Sequence, residues 1–214
     1  MKLTELSLDA FLAELGAVSP APGGGSAAAL AGAAAAALCA MVCRLTLARD
    51  SCRDSWPTLQ DALREAESVG VRLRDLISED ADAYLALVAA RALPRGTPEE
   101  KAARTAAVQA ATVRSASVPL ETLDGLRACA RLVELAASKG SASCITDAGT
   151  AGALVRAGAV AAAYNVRINL PSVTDASLRG TFDARTREAL AVIEAAADRI
   201  ATEVENRLDE RSAQ

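Results

Sequence analysis

A single misplaced carboxylate opens the chemistry of this chain. From Leu59 onward, apolar residues recur at Leu63, Ala66, Val69, Leu73, Leu76, Ile77, Tyr84, Leu87 and Val88 with the period of a helix. Asp80 falls on that stripe, seven residues after Leu73 and four before Tyr84, where an apolar residue is expected; Glu79 and Asp82 fall off it. A carboxylate buried alone is costly and has a raised pKa, so it needs a partner or a purpose. Asp80 therefore reads as a hydrogen-bonded core carboxylate, as a group left in water by a rotated helix, or as a proton-handling group in a site. Asn165 and Asn169 stand at i and i+4 near the end of an otherwise apolar helix, where buried amides must bond either to backbone or to a ligand. Lys101 and Arg104, one turn apart, suit a solvated face or, at a pocket mouth, an anionic substrate tail. The chain has no histidine, so proton transfer falls to carboxylate, lysine, cysteine, tyrosine or water.

A further candidate is the run Ser19-Pro20-Ala21-Pro22-Gly23-Gly24-Gly25-Ser26, which empties into an uncharged, alanine-rich helix reaching Cys43. Prolines make the loop rigid and glycines make it permissive, and the N–H groups of the helix that starts at Ser26 could face a ligand, an anion included. It is not the phosphate-loop pattern, since no lysine follows the glycines and no strand precedes them. The five cysteines are odd in number and form no C-x-x-C pair. Cys39 and Cys43 share a helix face but lack further metal ligands, so they read as small buried hydrophobes, and all five as reduced thiols of a cytoplasmic protein.

The elements that must position these groups are helical. Hydrophobic residues make up 51% of the 214-residue chain and aromatics 2%, a composition that favours alanine- and leucine-built helices over sheets and fits one domain spanning 1–214. A net charge of -4 with interspersed basic residues does not suggest nucleic acid. No targeting segment is expected at the start, because Glu5, Asp9 and Glu14 interrupt it. The uncharged run after Ser26 is shorter than the roughly 20 residues of a membrane span and reads as a buried helix, with no membrane partner.

Ser7, Leu8, Phe11, Leu12 and Leu15 mark a short capped helix, a lid or brace stopped by Gly16. The central helix is expected to run to about Arg49, and Pro57-Thr58 to open the next. Leu93-Pro94-Arg95-Gly96 ends that one, and Thr97-Pro98-Glu99-Glu100 starts another with capping-box spacing, expected to reach about Ala116 before Val118-Pro119-Leu120 makes a kink or a new start. The period resumes to Lys139-Gly140; Ser143 or Thr146 is expected to cap a helix from Ala148 to about Ile168, and Pro171 closes it. After a polar link containing Gly180, a last helix carries the seam Leu190, Ile193, Ala197, Ile200, Val204 and Leu208, suited to an antiparallel bundle or a partner subunit.

Taken together, Pro20-Ala21-Pro22-Gly23-Gly24-Gly25-Ser26-Ala27-Ala28-Ala29, Asp80-Ala81-Asp82-Ala83-Tyr84, Leu93-Pro94 with Glu100-Lys101-Ala102-Ala103-Arg104, Val118-Pro119-Leu120, Thr146-Asp147-Ala148 and Asn165-Val166-Arg167-Ile168-Asn169-Leu170 closely resemble the cyclodeaminase/cyclohydrolase family. That family comprises the C-terminal domain of formiminotransferase-cyclodeaminase and the free-standing methenyltetrahydrofolate cyclohydrolase. The chain departs from it at Gly140-Ser141-Ala142-Ser143-Cys144, where relatives commonly have Gly-Asn-Pro-Asn, and at Tyr84, where phenylalanine is usual. The resemblance implies an all-α, elongated antiparallel helical bundle that forms a homodimer, with a tetrahydrofolate derivative as substrate near the subunit interface and no tightly bound cofactor or metal. It makes Asp80, Lys101, Arg104, Asp147, Asn165 and Asn169 pocket candidates, and Gly23, Gly24, Gly25 and Ser26 a ligand-contacting loop.

The chemistry so implied suits a histidine-free chain. Opening 5,10-methenyltetrahydrofolate adds water to an amidinium carbon and protonates a departing ring nitrogen; closing 5-formimidoyltetrahydrofolate has N10 attack while ammonia leaves. One partly buried carboxylate of raised pKa can serve either reaction. The roles implied are Asp80 as acid/base, Asp147 on the pterin's amino edge or orienting water, in either order, and Lys101 and Arg104 on the glutamate carboxylates or beside an acid. The cyclohydrolase is the expected activity, because the chain leaves no room for a formiminotransferase domain; cyclodeaminase activity and a non-catalytic folate-binding role are the alternatives.

Overall fold

The computed structural model describes residues 2–212. Its six helices are α1 (Leu8–Leu15), α2 (Gly24–Leu47), α3 (Trp56–Ala92), α4 (Pro98–Lys139), α5 (Ile145–Asn169) and α6 (Ala176–Ser212), with short 3-10 turns between and no strand among the described residues. The expected all-α class therefore holds, and so does the antiparallel arrangement. Contacts between Ser26 and Ile77, between Ser115 and Ala83, between Asn169 and Ser115, and between Gly24 and Asn165 close α2, α3, α4 and α5 into a ring of antiparallel neighbours. Helix α6 lies outside the ring on the α4–α5 side, antiparallel to α5 through Arg156–Asp198 and parallel to α4 through Arg199–Glu134.

Small residues explain how closely α2 packs on its neighbours in the ring. Ala28, Ala29, Ala35, Ala36, Cys39 and Cys43 are essentially inaccessible, and Gly32 admits Leu73 and Leu126, so three neighbouring helices pack on one cylinder. By length and composition α2 could cross a bilayer, its 24 residues exceeding the uncharged run alone, but here it is wrapped by α3, α4 and α5. Four of the five free cysteines are buried, and burial pushes the Cys129 thiol up to about 12.

Several expected boundaries move, each for a local reason. Helix α2 begins at Gly24 rather than Ser26, and the glycines take no left-handed backbone, so their purpose is room and not conformational freedom. Thr97 and Glu100 form the expected capping box: Thr97 Oγ1 accepts from Glu100 N at 3.2 Å, and Glu100 Oε2 accepts from Thr97 N at 3.1 Å. Helix α4 then runs unbroken through Pro119 for 42 residues, about 63 Å, where a kink or new start was expected. Proline removes the N–H that Ser115 O would accept four residues back, and Asn169 Nδ2 donates to that carbonyl instead at 3.1 Å. Neither Ser143 nor Thr146 caps α5, whose N-cap is Cys144 without a side-chain bond. Gly180 lies inside α6, because Asp175 Oδ1 accepts from Ser177 N at 2.9 Å and Leu178 N at 3.0 Å and starts that helix earlier.

Helices of unequal length shape the site. On α3, twelve residues follow Asp80; on α4, seventeen precede Ser115. The α3–α4 hairpin thus projects about 18–25 Å past the start of α2, with Leu85, Val88 and Leu93 exposed along it.

Candidate active site

Where α2 starts, all four ring helices converge on a cavity of about 260 Å³. Pro20, Ala21, Gly23, Gly24 and Gly25 form one wall, Asp80 and Tyr84 of α3 another, and Ser115 of α4 with Asn165 and Asn169 of α5 the remainder. A larger cavity of about 530 Å³ lies across the Ala21–Pro22 turn, lined among others by Lys2, Glu14, Ser78 and Asp82, and holds none of the Asp80–Asn165–Asn169 group.

Asp80 reaches the start of α2 from α3. Ser26 Oγ lies 3.2 Å from Asp80 Oδ2, and the Ser26 backbone N–H also bonds to the carboxyl. Ser26 is the third residue of α2, so its N–H is one of those a helix leaves unpaired, and Asp80 caps the helix from a different helix. Gly25 makes this approach possible: a Cβ there would sit 2.0 Å from Asp80 Oδ1 and 2.6 Å from Oδ2. Burial raises the Asp80 pKa above its ordinary value, and the hydrogen bonds from the Ser26 hydroxyl and N–H pull against it without cancelling it. Asp80 is thus both a hydrogen-bonded core carboxylate and a proton-handling candidate on the cavity wall.

The two asparagines bond to backbone through their amide nitrogens. Asn165 Nδ2 donates to Ala161 O at 2.9 Å, and Asn169 Nδ2 donates to Asn165 O at 2.8 Å and to the Ser115 carbonyl that Pro119 frees. Their amide oxygens remain as acceptors on the wall. Among the described residues no lysine or arginine lines the cavity, so with Asp80 it presents acceptors and negative charge. That is the wrong polarity for phosphate, and the anion reading of the glycine helix start falls, since the Asp80 carboxyl already stands against the Ser26 N–H there.

Other expected members stand elsewhere. Ser26 is fully buried behind Gly25 and does not line the cavity, which corrects its reading as a ligand contact. Asp147 sits in the first turn of α5, eighteen residues and about 27 Å from Asn165, so within one protomer it does not share a cavity with Asp80. Arg104 and Lys101 lie on the projecting hairpin, eleven and fourteen residues from Ser115, or about 16 and 21 Å. Arg104 Nε and Nη2 donate to Arg91 O at 3.1 and 3.0 Å, while the Lys101 ammonium makes no ion pair among the described residues. Tyr84 and Ser115 are site residues that the sequence reading missed. Tyr84, four residues after Asp80 on the same helix face, was findable; Ser115 was not, since its exposure to the cavity depends on Pro119 and on α5.

A helical ring closed around an acceptor-lined cavity with one carboxylate of raised pKa defines a class of all-α proteins equipped for proton transfer on a donor-rich or cationic small molecule. The chain belongs to the formiminotransferase-cyclodeaminase family, whose model matches residues 7–188. It is 36% identical over 169 residues to a methenyltetrahydrofolate cyclohydrolase of Methylorubrum extorquens, covering 79% of this chain and 81% of that one. It is 34% identical over 173 residues to a formimidoyltransferase-cyclodeaminase of Rattus norvegicus, covering 81% of this chain and 32% of the relative, so it spans about a third of that longer protein. Among solved structures, a formiminotetrahydrofolate cyclodeaminase from Thermotoga maritima superposes with a TM-score of 0.87 at 26% identity, covering 97% of this chain and 100% of that one. The chain is an enzyme of this family.

Proposed function

We propose that the chain hydrolyses 5,10-methenyltetrahydrofolate to 10-formyltetrahydrofolate, with Asp80 as the proton-handling group. The observation that carries this reading is the buried carboxylate of raised pKa in a cavity whose described lining residues include no lysine or arginine. The substrate's amidinium is cationic, and its reduced pterin edge is rich in N–H donors, which matches Asp80 and the two asparagine oxygens. In the proposed step, ionised Asp80 takes a proton as water oxygen bonds to the amidinium carbon. The resulting tetrahedral carbon then breaks its bond to N5, which is protonated as it departs, and one proton is released overall. The cavity is smaller than the roughly 300–1,000 Å³ of sites that enclose a whole drug-sized ligand, so it takes the reacting end and leaves the tail outside.

The Methylorubrum extorquens relative, matched over most of its own length, supports the cyclohydrolase reading. Closure of 5-formimidoyltetrahydrofolate with loss of ammonia is the second reading, supported by the Thermotoga maritima cyclodeaminase that this fold matches end to end. A homodimer is part of the proposal: the exposed Leu85, Val88 and Leu93 of the hairpin and Tyr164 and Ile168 beside the cavity support a partner surface. A second copy is also the means by which Asp147, or a cation for the glutamate tail, would reach the substrate; Lys101 and Arg104 are the proposed tail ligands. The test incubates the protein with each folate separately, following methenyl absorbance and ammonia. Loss of the chromophore above the spontaneous rate supports the hydrolase, and its appearance with ammonia supports the deaminase. Asp80→Asn is expected to lose most turnover, by about 100-fold or more, while still binding folate; near-normal turnover in that variant refutes the assignment.

A further inference from the structure

We infer that Ser26 is a positioning residue acting through Asp80, whose hydroxyl holds the carboxyl in one place as it gains and loses its proton. The inference rests on the proposed role of Asp80 and assigns Ser26 a function other than ligand contact. Ser26 is 0% exposed and lies behind Gly25, so it cannot touch a molecule in the cavity. Its Oγ sits between two oxygens of α3, 2.8 Å from Ile77 O and 3.2 Å from Asp80 Oδ2.

A hydroxyl carries one hydrogen and two lone pairs, and a backbone carbonyl can only accept. With Asp80 ionised, two acceptors compete for that one hydrogen. With Asp80 protonated, Ser26 donates to Ile77 O while accepting from the acid, and both contacts are satisfied. One oxygen thus serves both protonation states by turning its hydrogen, with no heavy atom displaced. Gly25 lets the carboxyl come this close, since any Cβ would occupy its place.

The other described groups around the acid are backbone, hydroxyls and amides. Helix α2 presents the backbone of Gly24 and Gly25, α4 presents Ser115, α5 presents the amides of Asn165 and Asn169, and α3 itself presents Tyr84, the one other titratable side chain on the cavity. Ser26 is therefore the side chain to which the proton equilibrium of Asp80 answers most directly.

Replacing Ser26 by alanine removes a donor to the ionised carboxyl and an acceptor from the neutral one. Hydrogen bonds to charged groups are the stronger, so the ionised form loses more, and the Asp80 pKa is expected to rise by about one unit. A purely structural role would alter stability and leave that pKa alone. Ile77 O keeps its place in the α3 ladder, and alanine suits the first turn of α2, so Ser26→Ala is expected to fold. The measurement is a carbon-13 titration of protein labelled at aspartate carboxyls, with the Asp80 signal identified by its loss in Asp80→Asn, alongside the pH profile of kcat/KM. The expected result is a midpoint about one unit above that of the unsubstituted protein and a matching shift of the acidic limb, with KM within about twofold. If circular dichroism shows Ser26→Ala unfolded, Ser26→Cys, whose thiol is the weaker partner, is titrated instead with the same expected direction. An unmoved midpoint in the folded variant overturns the inference and leaves the Asp80 assignment standing. Near-normal turnover in Asp80→Asn overturns that assignment, a result on which the midpoint does not depend.

Discussion

Replacing Gly25 by alanine tests the site at its tightest point. The new Cβ would lie 2.0 Å from Asp80 Oδ1 and 2.5 Å from Asp80 Cγ, against the roughly 3.5 Å of an ordinary contact, so the carboxyl must retreat by about 1–1.5 Å. A displacement of about 1 Å in a reacting group lowers rate about 100-fold, equivalent to about 2.7 kcal/mol. Stability should change much less. Alanine gains up to about 1 kcal/mol over glycine in a helix, and the displaced acid gives up its bonds to Ser26, about 1.5–3 kcal/mol, leaving a loss of about 0.5–2 kcal/mol and a Tm lowered by a few degrees. Neighbouring glycines supply internal controls. A Cβ on Gly23 meets nothing within 4 Å, and one on Gly24 meets the Asn165 amide at 3.2 Å. Turnover of 5,10-methenyltetrahydrofolate, corrected for spontaneous hydrolysis, should therefore be reduced far less in Gly23→Ala and Gly24→Ala than in Gly25→Ala, where it is nearly lost. A Gly25→Ala enzyme within about threefold of normal kcat/KM would show that the position of the Asp80 carboxyl does not govern the reaction.

Two further outcomes follow from the same geometry. Pro119→Ala returns an N–H to compete with Asn169 for the Ser115 carbonyl, so the helix should gain stability while folate binding weakens by about fivefold, the equivalent of about 1 kcal/mol of lost orientation; thermal unfolding with a binding titration checks both, and a more stable variant with unchanged affinity removes Asn169 from the site. The folded pKa of Asp80 lies above its unfolded value, so across that window the native chain holds more protons than the unfolded chain and loses stability as pH rises. Asparagine carries no such penalty, so the Tm of Asp80→Asn minus that of the unsubstituted protein should grow as pH rises from the ordinary carboxylate range. Glu79 and Glu134, whose pKa values are lowered chiefly by hydrogen bonds from Arg72 and Arg199, have the opposite sign but act equally in both proteins, so a pH-independent difference would contradict the buried, raised Asp80.

How much could be read from residue order alone differs sharply between elements and site. The helical period, the Ser7 and Thr97 caps, and the alanine content of the second helix determine an all-helical chain with a close-packed second helix, because these signals act within a few residues. Asp80 was visible for the same reason: a charge on an apolar stripe breaks a local pattern. Pro119 misled, since a local rule places a break where a distant amide takes up the freed carbonyl. Depth of burial was also illegible. Ser26 and the glycines were grouped as one ligand-contacting loop, yet Ser26 is sealed behind the wall and the glycines form it. Only the antiparallel ring brought Asp80, Asn165, Asn169 and Ser115 within one cavity, and only it put Asp147 about 27 Å along α5 from them. Chain order determined which residues can form helices and which one is out of place; the approach of α3 to the start of α2, allowed by the missing Cβ of Gly25, decided what the misplaced residue can do.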